Sequence, residues 1–526
     1  MAGTYSISCE TMTDRDSGRG VRGIADRRRF LQAIGAIGVA GMTGSASADN
    51  GDDNPWDDYE APPEDETPER VAPGADPLGA GAEPPEDATT LWDGDTATLD
   101  NWENGSQWIE HDDYFEVDLG SGNISTEEAI GDCHLHLEWR SPKEYEGYVD
   151  IEEDGDGQAP GNSGVFLMQT YEVQILQSHD NPTYPSGYAG SYYRAAPGGG
   201  AVPLVMPINP PGEWNVYDIV WRGPRFDGDE LTRYPQLTVF FNGVAIINHY
   251  DIPGPTFFED LNDFADAHPQ DEDGNFLEEV PIELQDHSGD IDECHFRNIW
   301  YRDLPESPVE IDSPDDMPEY DSDAGVWEDR DDWDGRFDSY DPDHPDQPEQ
   351  IEPGDNSGAA PADADVLIDS EETLVPGEGG WESDDTYGDS QIHVEWQVDA
   401  NTEAMGPWRG DSGLQIGRYE LQILDTYENP VEAEEWAGAY TGEAPPIHDA
   451  VRESGECQSL DVVFQGPQDD GPAQVTAFLN GVIVQARLQA DEPNADGDEG
   501  SIRLQEPVED GSEVHFQNTW IRPLYN

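Results

Sequence analysis

The stretch Gly161 to Leu176 (GNSGVFLMQTYEVQIL) returns as Gly410 to Leu424 (GDSGLQIGRYELQIL), so this chain must use a fold that can be built twice in tandem. Other pairs keep the same order. HLHLEW at His134 to Trp139 matches QIHVEW at Gln391 to Trp396, and FFNGV at Phe240 matches FLNGV at Phe478. Leu284-Gln285 matches Leu504-Gln505, and HFRNIW at His295 matches HFQNTW at His515, which closes each copy. The period is too long for a solenoid, so two copies of one domain are expected.

The repeat also indicates the type of domain. Tyr171, Val173 and Ile175 alternate with Glu172 and Gln174, so a strand here buries one side and presents a carboxylate and an amide on the other. Short alternating runs between Gly, Pro, Asn and Asp turns fill both copies, with no convincing three-turn amphipathic helix. The expected class is all-β, an antiparallel two-sheet sandwich in each copy.

Around the copies the composition shifts. Arg27-Arg28-Arg29-Phe30-Leu31 heads a Gly- and Ala-rich apolar run that ends in Ala46-Ser47-Ala48, the pattern of a twin-arginine export signal over 1–48. Export would place the mature protein outside the cell or at its surface. Residues 49–88 are Pro-rich and acidic, as expected of a disordered linker, and 305–323 form a second linker. The globular units are then 89–304 and 324–526, with a polar stretch at 329–362 that reads as a long solvated loop. No later segment offers the roughly 20 apolar residues of a membrane span.

Charge narrows the partners. The 23 Lys and Arg face 117 Asp and Glu, a net −94, which excludes nucleic acid and points to a salt-rich setting where screening relieves self-repulsion. Such a composition devalues acidic clusters as metal sites. The run Asp150 to Gly157 lacks the ligand order and closing Glu of an EF-hand. Of the four cysteines, Cys9 falls in the signal, and no zinc spacing links the rest. Cys133 and Cys294 head two strands of the first copy, where free buried thiols are preferred over a bridge.

Eight motifs of the first copy, in order, then resemble one family. They are Leu91 to Gly94 (LWDG), His134 to Arg140 (HLHLEWR), Asn162 to Gly164 (NSG), Tyr171 to Gln174 (YEVQ), Gly212 to Asn215 (GEWN), Asn242-Gly243, Leu284 to His287 (LQDH) and Phe296 to Ile299 (FRNI). Together they resemble the 3-keto-disaccharide hydrolase domain family. The resemblance implies two tandem jelly-roll sandwiches of the concanavalin A-like type, with a carbohydrate ligand on a concave sheet. It also implies cleavage of glycosides whose C3 hydroxyl is already a ketone. That ketone acidifies the C2 hydrogen, so a base can form an enediolate that expels the C1 substituent. The site needs a base, an oxyanion partner and an acid for the leaving oxygen.

On this reading His287 and Glu172 are the candidate proton-transfer groups, and Arg297 or Arg140 would stabilise the oxyanion. Glu138, Asn162, Gln174 and Asn215 would position hydroxyls, and Trp214 would stack on a sugar. The His134/Glu138 face and the Glu172/Gln174 face are expected to join on one sheet. His134 and His136 read as solvent-side or structural. Imidazole and carboxylate groups could hold a divalent cation, but no ligand spacing is diagnostic, so no cofactor is assigned. In the second copy Gln397, Asp411, Cys457, Gln458, Glu506, Pro507 and Gln517 replace Arg140, Asn162, Trp214, Asn215, Asp286, His287 and Arg297. Catalysis is therefore expected in the first unit. The competing readings are a tandem lectin-like binding protein and a structural module whose acidic loops cover both clefts.

Overall fold

The computed structural model describes residues within 84–305 and 358–524, broken by short stretches of which the longest is 143–157, plus the strand Glu349–Gln350. The export signal, the acidic stretch 49–83, the linker from 306, the run Asp150 to Gly157 and most of the polar stretch 329–362 lie outside the described residues. Among the described residues, no helix is long and apolar enough to cross a membrane. The chain divides into two compact units, Ala88–Glu306 and Ser307–Asn526. Both are β-sandwiches whose main sheets are made of antiparallel pairs, while Glu349–Gln350 pairs in parallel with His448–Asp449.

In the first unit one sheet runs, in spatial order, Val244–Asp251, Gln236–Phe241, Asn215–Arg222, Cys133–Arg140, His295–Asp303, Phe115–Glu116 and Ile109–Glu110, with Thr89–Trp92 also on His295–Asp303. The other runs Trp102–Glu103, Ile124–Thr126, Glu283–Leu284, Ser163–Leu167, Tyr171–Ile175 and Tyr192–Tyr193. Leu135, Leu137 and Trp139 from the first sheet share one core with Val165, Tyr171, Val173 and Ile175 from the second. The Tyr217 hydroxyl crosses between the sheets and donates to the Gln174 carbonyl at 2.8 Å. Cys133 and Cys294 are free and buried.

The Asn-Gly pairs form two-residue hairpin turns. Asn242 and Gly243 take φ of +48° and +76°, and Asn480 and Gly481 take +52° and +81°, as the tight primed turns require. The Asn242 amide also ties the turn inward. It accepts from the Val216 N–H at 2.8 Å and donates to the Pro207 carbonyl and to Asn215 Oδ1.

The second unit repeats this plan with six strands facing four. One sheet runs Asp365–Ile368, Val514–Pro523, Ser390–Val398, Gln458–Gln465, Ala473–Leu479 and Val482–Ala490. The other runs Trp381–Tyr387, Gly500–Leu504, Ser412–Ile416 and Tyr419–Ile423.

Candidate active site

Because successive side chains alternate and the apolar sides meet in one core, the two polar faces of the first unit point away from each other. The expectation that they join on one sheet is therefore corrected. Glu138, Arg140 and Arg297 lie on the outer side of the longer sheet, and Glu172 and Gln174 on the outer side of the shorter one. A core about 10 Å thick separates them.

On the longer sheet a dense polar network fills the face. His136 Nδ1 and His134 Nε2 lie 2.8 and 3.0 Å from Asp218 Oδ1, and His136 stacks on Trp300 at 4.6 Å. Burial alone would raise the Asp218 carboxyl, but His136 and His134 outweigh it and hold it low. Burial pushes the His134 imidazole down. Both imidazoles are fully buried and structural.

Glu138 was expected to hold a hydroxyl, and its oxygens are already engaged. Arg297 Nε donates to Oε2 at 2.6 Å, and Asn298 Nδ2 donates to Oε1 at 2.9 Å. The FRNI motif explains this geometry. A bulge between Arg297 and Trp300, with Asn298 at φ +45°, lets neighbouring residues reach the same carboxylate.

The second unit keeps the arrangement. His393 meets Asp461 at 2.7 Å, Asn518 donates to Glu395 at 2.7 Å, and His393 stacks on Trp520. Burial opposes charge on His393, but Asp461 and Glu395 raise it to about 10. A network that survives where both arginines are lost holds the fold rather than a ligand. Asn215 is likewise structural, since its Oδ1 accepts from Asn209 N–H and from the turn residue Asn242.

On the shorter sheet Asn162 and Gln174 donate to Gln158, and Asn123 donates to Glu283, but a cluster of acceptor oxygens is left over. Asn162 Oδ1, Glu172 Oε2, Gln174 Oε1, Glu283 Oε2 and Gln285 Oε1 are all buried acceptors with no donor. Buried polar groups are normally satisfied, so five orphans on one face call for an arriving set of donors. Register explains their convergence. Glu283, Phe166, Glu172 and Tyr193 form one cross-strand row, and Gln285, Gly164 and Gln174 form the next. Phe166 stacks on Phe257 as a wall at 5.7 Å, and Gly164 leaves a gap beside it.

Glu172 lies over that gap, where a Cβ at Gly164 would clash with its Oε1. Burial, and then the charge of Glu283, push the Glu172 carboxyl well above the usual range. Burial raises Glu283 to about 7, although Asn123 Nδ2 donates to its Oε1 at 2.6 Å. Asp286 caps the neighbouring turn, accepting from Gly122 N–H at 2.6 Å. His287 follows at the exposed end of this segment.

Glu283 was not identified from sequence alone, though a signal was present. Aligning Leu284 with Leu504 sets Glu283 against Arg503. In the second unit Glu420 also overlies a glycine, Gly413, but Gln415 Nε2 donates to its Oε2. The Glu172–Glu283 pair thus has no counterpart at the matching positions of the second unit. Among the described residues, no group of three or more His, Cys, Asp or Glu is arranged to hold a metal ion.

Comparison with known proteins adds the family context. The model of the 3-keto-alpha-glucoside-1,2-lyase-like domain matches residues 87–302 and again 327–522. A crystal structure from Parabacteroides distasonis, described as a candidate glycosyl hydrolase, is 34% identical over 49% of this chain and 99% of its own, with a TM-score of 0.36. The alginate lyase Aly36B is 13% identical over 41% and 97%, with a TM-score of 0.25. The carbohydrate-binding module CBM66 of Bacillus subtilis is 10% identical over 38% and 95%, with a TM-score of 0.19. No curated protein matches the chain.

Proposed function

Because the chain belongs to the 3-keto-alpha-glucoside-1,2-lyase-like domain family, a carbohydrate-active group, we propose that its first unit cleaves 3-keto-glycosides on the outer face of the shorter sheet. The observation that carries this reading is the orphaned carboxyl pair over Gly164. A base facing a carbon acid needs a high proton affinity, which burial gives Glu172. In its ionised form Glu172 takes the C2 hydrogen as its proton, and the electron pair passes toward the C3 oxygen. The C1 substituent then departs as its oxygen is protonated, and water adds to the unsaturated sugar.

Burial also raises Glu283, which suits it to hold a proton for the leaving oxygen. Sugar hydroxyls supply donors for Asn162, Gln174 and Gln285. His287, at the exposed end of the segment, is assigned as a donor toward the C3 oxygen. Arg297 and Arg140 leave this mechanism, since the core lies between them and Glu172. We also propose that the protein is exported by the twin-arginine route and works in high salt, as its first residues and its −94 charge suggest.

The two glycines test the division of labour. Gly164→Ala forces Glu172 aside, and misplacement on this scale costs roughly 10²-fold in turnover. Gly413→Ala makes the matching change against Glu420 and should leave turnover unchanged. Steady-state rates with a thermal melt of each variant check this. Equal losses in both, or a loss only in Gly413→Ala, would overturn the assignment.

A further inference from the structure

Arg140 stands out in a chain with 117 acidic residues, because its contacts among the described residues are an imidazole and two aromatic rings rather than a carboxylate. Its Nε donates to His295 Nδ1 at 3.2 Å, and its guanidinium lies 4.3 Å from the centre of the Trp214 ring and 5.0 Å from that of Tyr114. The Arg297 guanidinium lies 4.2 Å from the same Trp214 ring. Burial and the charge of Arg140 push His295 down to about 4, so it accepts from Arg140 without adding charge. Glu116 is engaged by His111 and His295, at 3.2 and 3.4 Å.

Two guanidinium groups on one indole repel each other, and among the described residues only Arg297 has a counter-charge, in Glu138. We propose that this patch on the outer side of the longer sheet binds the carboxylate of a uronate-bearing glycan. Planar guanidinium forks match a carboxylate with paired hydrogen bonds, and Trp214 and Tyr114 add ring surface for the sugar. The half-exposed Trp214, Tyr114, Arg140 and Arg297 leave the patch open. The second unit has Gln397, Cys457 and Gln517 here, so the site belongs to the first unit alone. It lies across the core from Glu172 and stands independently of the proposed reaction. An acidic polymer could be held there while chemistry proceeds on the opposite face. Salt near 1 M, which shrinks the screening length to roughly 3 Å, removes the long-range repulsion between such a polymer and this chain.

The test uses the full mature chain at about 1 M salt, with calorimetric titration of an oligogalacturonate, its methyl ester and a polyglutamate peptide. The free acid should bind, and the ester should bind roughly ten-fold or more weakly, as expected for loss of a charge-assisted pair. Arg140→Gln, which copies the second unit, should weaken the acid to a similar degree with an unchanged melt. Arg140→Lys keeps the charge without the fork and should recover only part of the affinity, while Glu172→Gln should bind normally. The proposal is overturned if the free acid does not bind, if acid and ester bind equally, or if Arg140→Gln binds like the wild type. Polyglutamate competing as well as the uronate would also overturn it, in favour of an acidic protein segment.

Discussion

Glu172→Gln is expected to lower turnover of a 3-keto-glycoside by roughly 10²- to 10⁴-fold, the usual worth of a positioned proton-transfer group. The same change should not weaken the fold, and pH shows why. Burial raises the folded Glu172 carboxyl well above the usual carboxylate range, whereas the unfolded chain releases that proton at the ordinary value. As pH rises between these two values, the unfolded state has lost its proton and the folded state still holds it. Each unit in that window therefore costs about 1.36 kcal/mol of stability. Glutamine cannot ionise, so the variant should melt no lower than wild type in acid and higher above the window. Melts across pH together with initial rates check both halves. Wild-type turnover in Glu172→Gln with the fold intact would remove this residue from the reaction.

The second large effect is on stability, at Asp132→Asn. Asp132 is a buried carboxylate in contact with three guanidinium groups. Arg233 Nη2 lies 2.9 Å from both oxygens, and Arg222 and Arg225 lie at 3.1 and 3.2 Å. Burial lowers Arg233 to about 10, against the pull of Asp132. Removing the charge shared by all three leaves like charges close together, a loss of roughly 3–5 kcal/mol. At a few degrees per kcal/mol, the first unit's melting transition should fall by roughly 6–20 °C. Calorimetry of the full chain checks this, and a shift of less than about 2 °C in that transition would contradict the account.

The fold was legible because its signals are local. Alternation at Tyr171 to Ile175 and the Asn-Gly turns depend on neighbours in sequence, and each stands in the structure where the pattern put it. The site was only half legible. Alternation showed that Glu138 and Glu172 each occupy a polar face, but which sheet each strand joins is decided by non-local pairing. That is why two opposite surfaces read as one.

Residues in the GEWN and LEWR motifs looked like ligand contacts for a similar reason. A buried hydrogen-bonding role, such as that of Asn215 beneath the Asn242 turn, uses the same residue types as recognition. Glu283 escaped notice because its strand is two residues long, too short to show a period. The contrast with Arg503 was the available clue. Comparing two copies of one fold separated the retained His136–Asp218 network from the Glu172–Glu283 pair that the second copy lacks.

The most direct test of the central claim is to incubate the full chain, in about 1 M salt and heavy water, with a 3-keto-glycoside and separately with the same glycoside unoxidised. The account predicts release of the C1 substituent only from the ketone, with deuterium entering at C2 and both signals lost in Glu172→Gln. Cleavage of the unoxidised glycoside at a similar rate, or cleavage of the ketone in Glu172→Gln as fast as in the wild type, would contradict it.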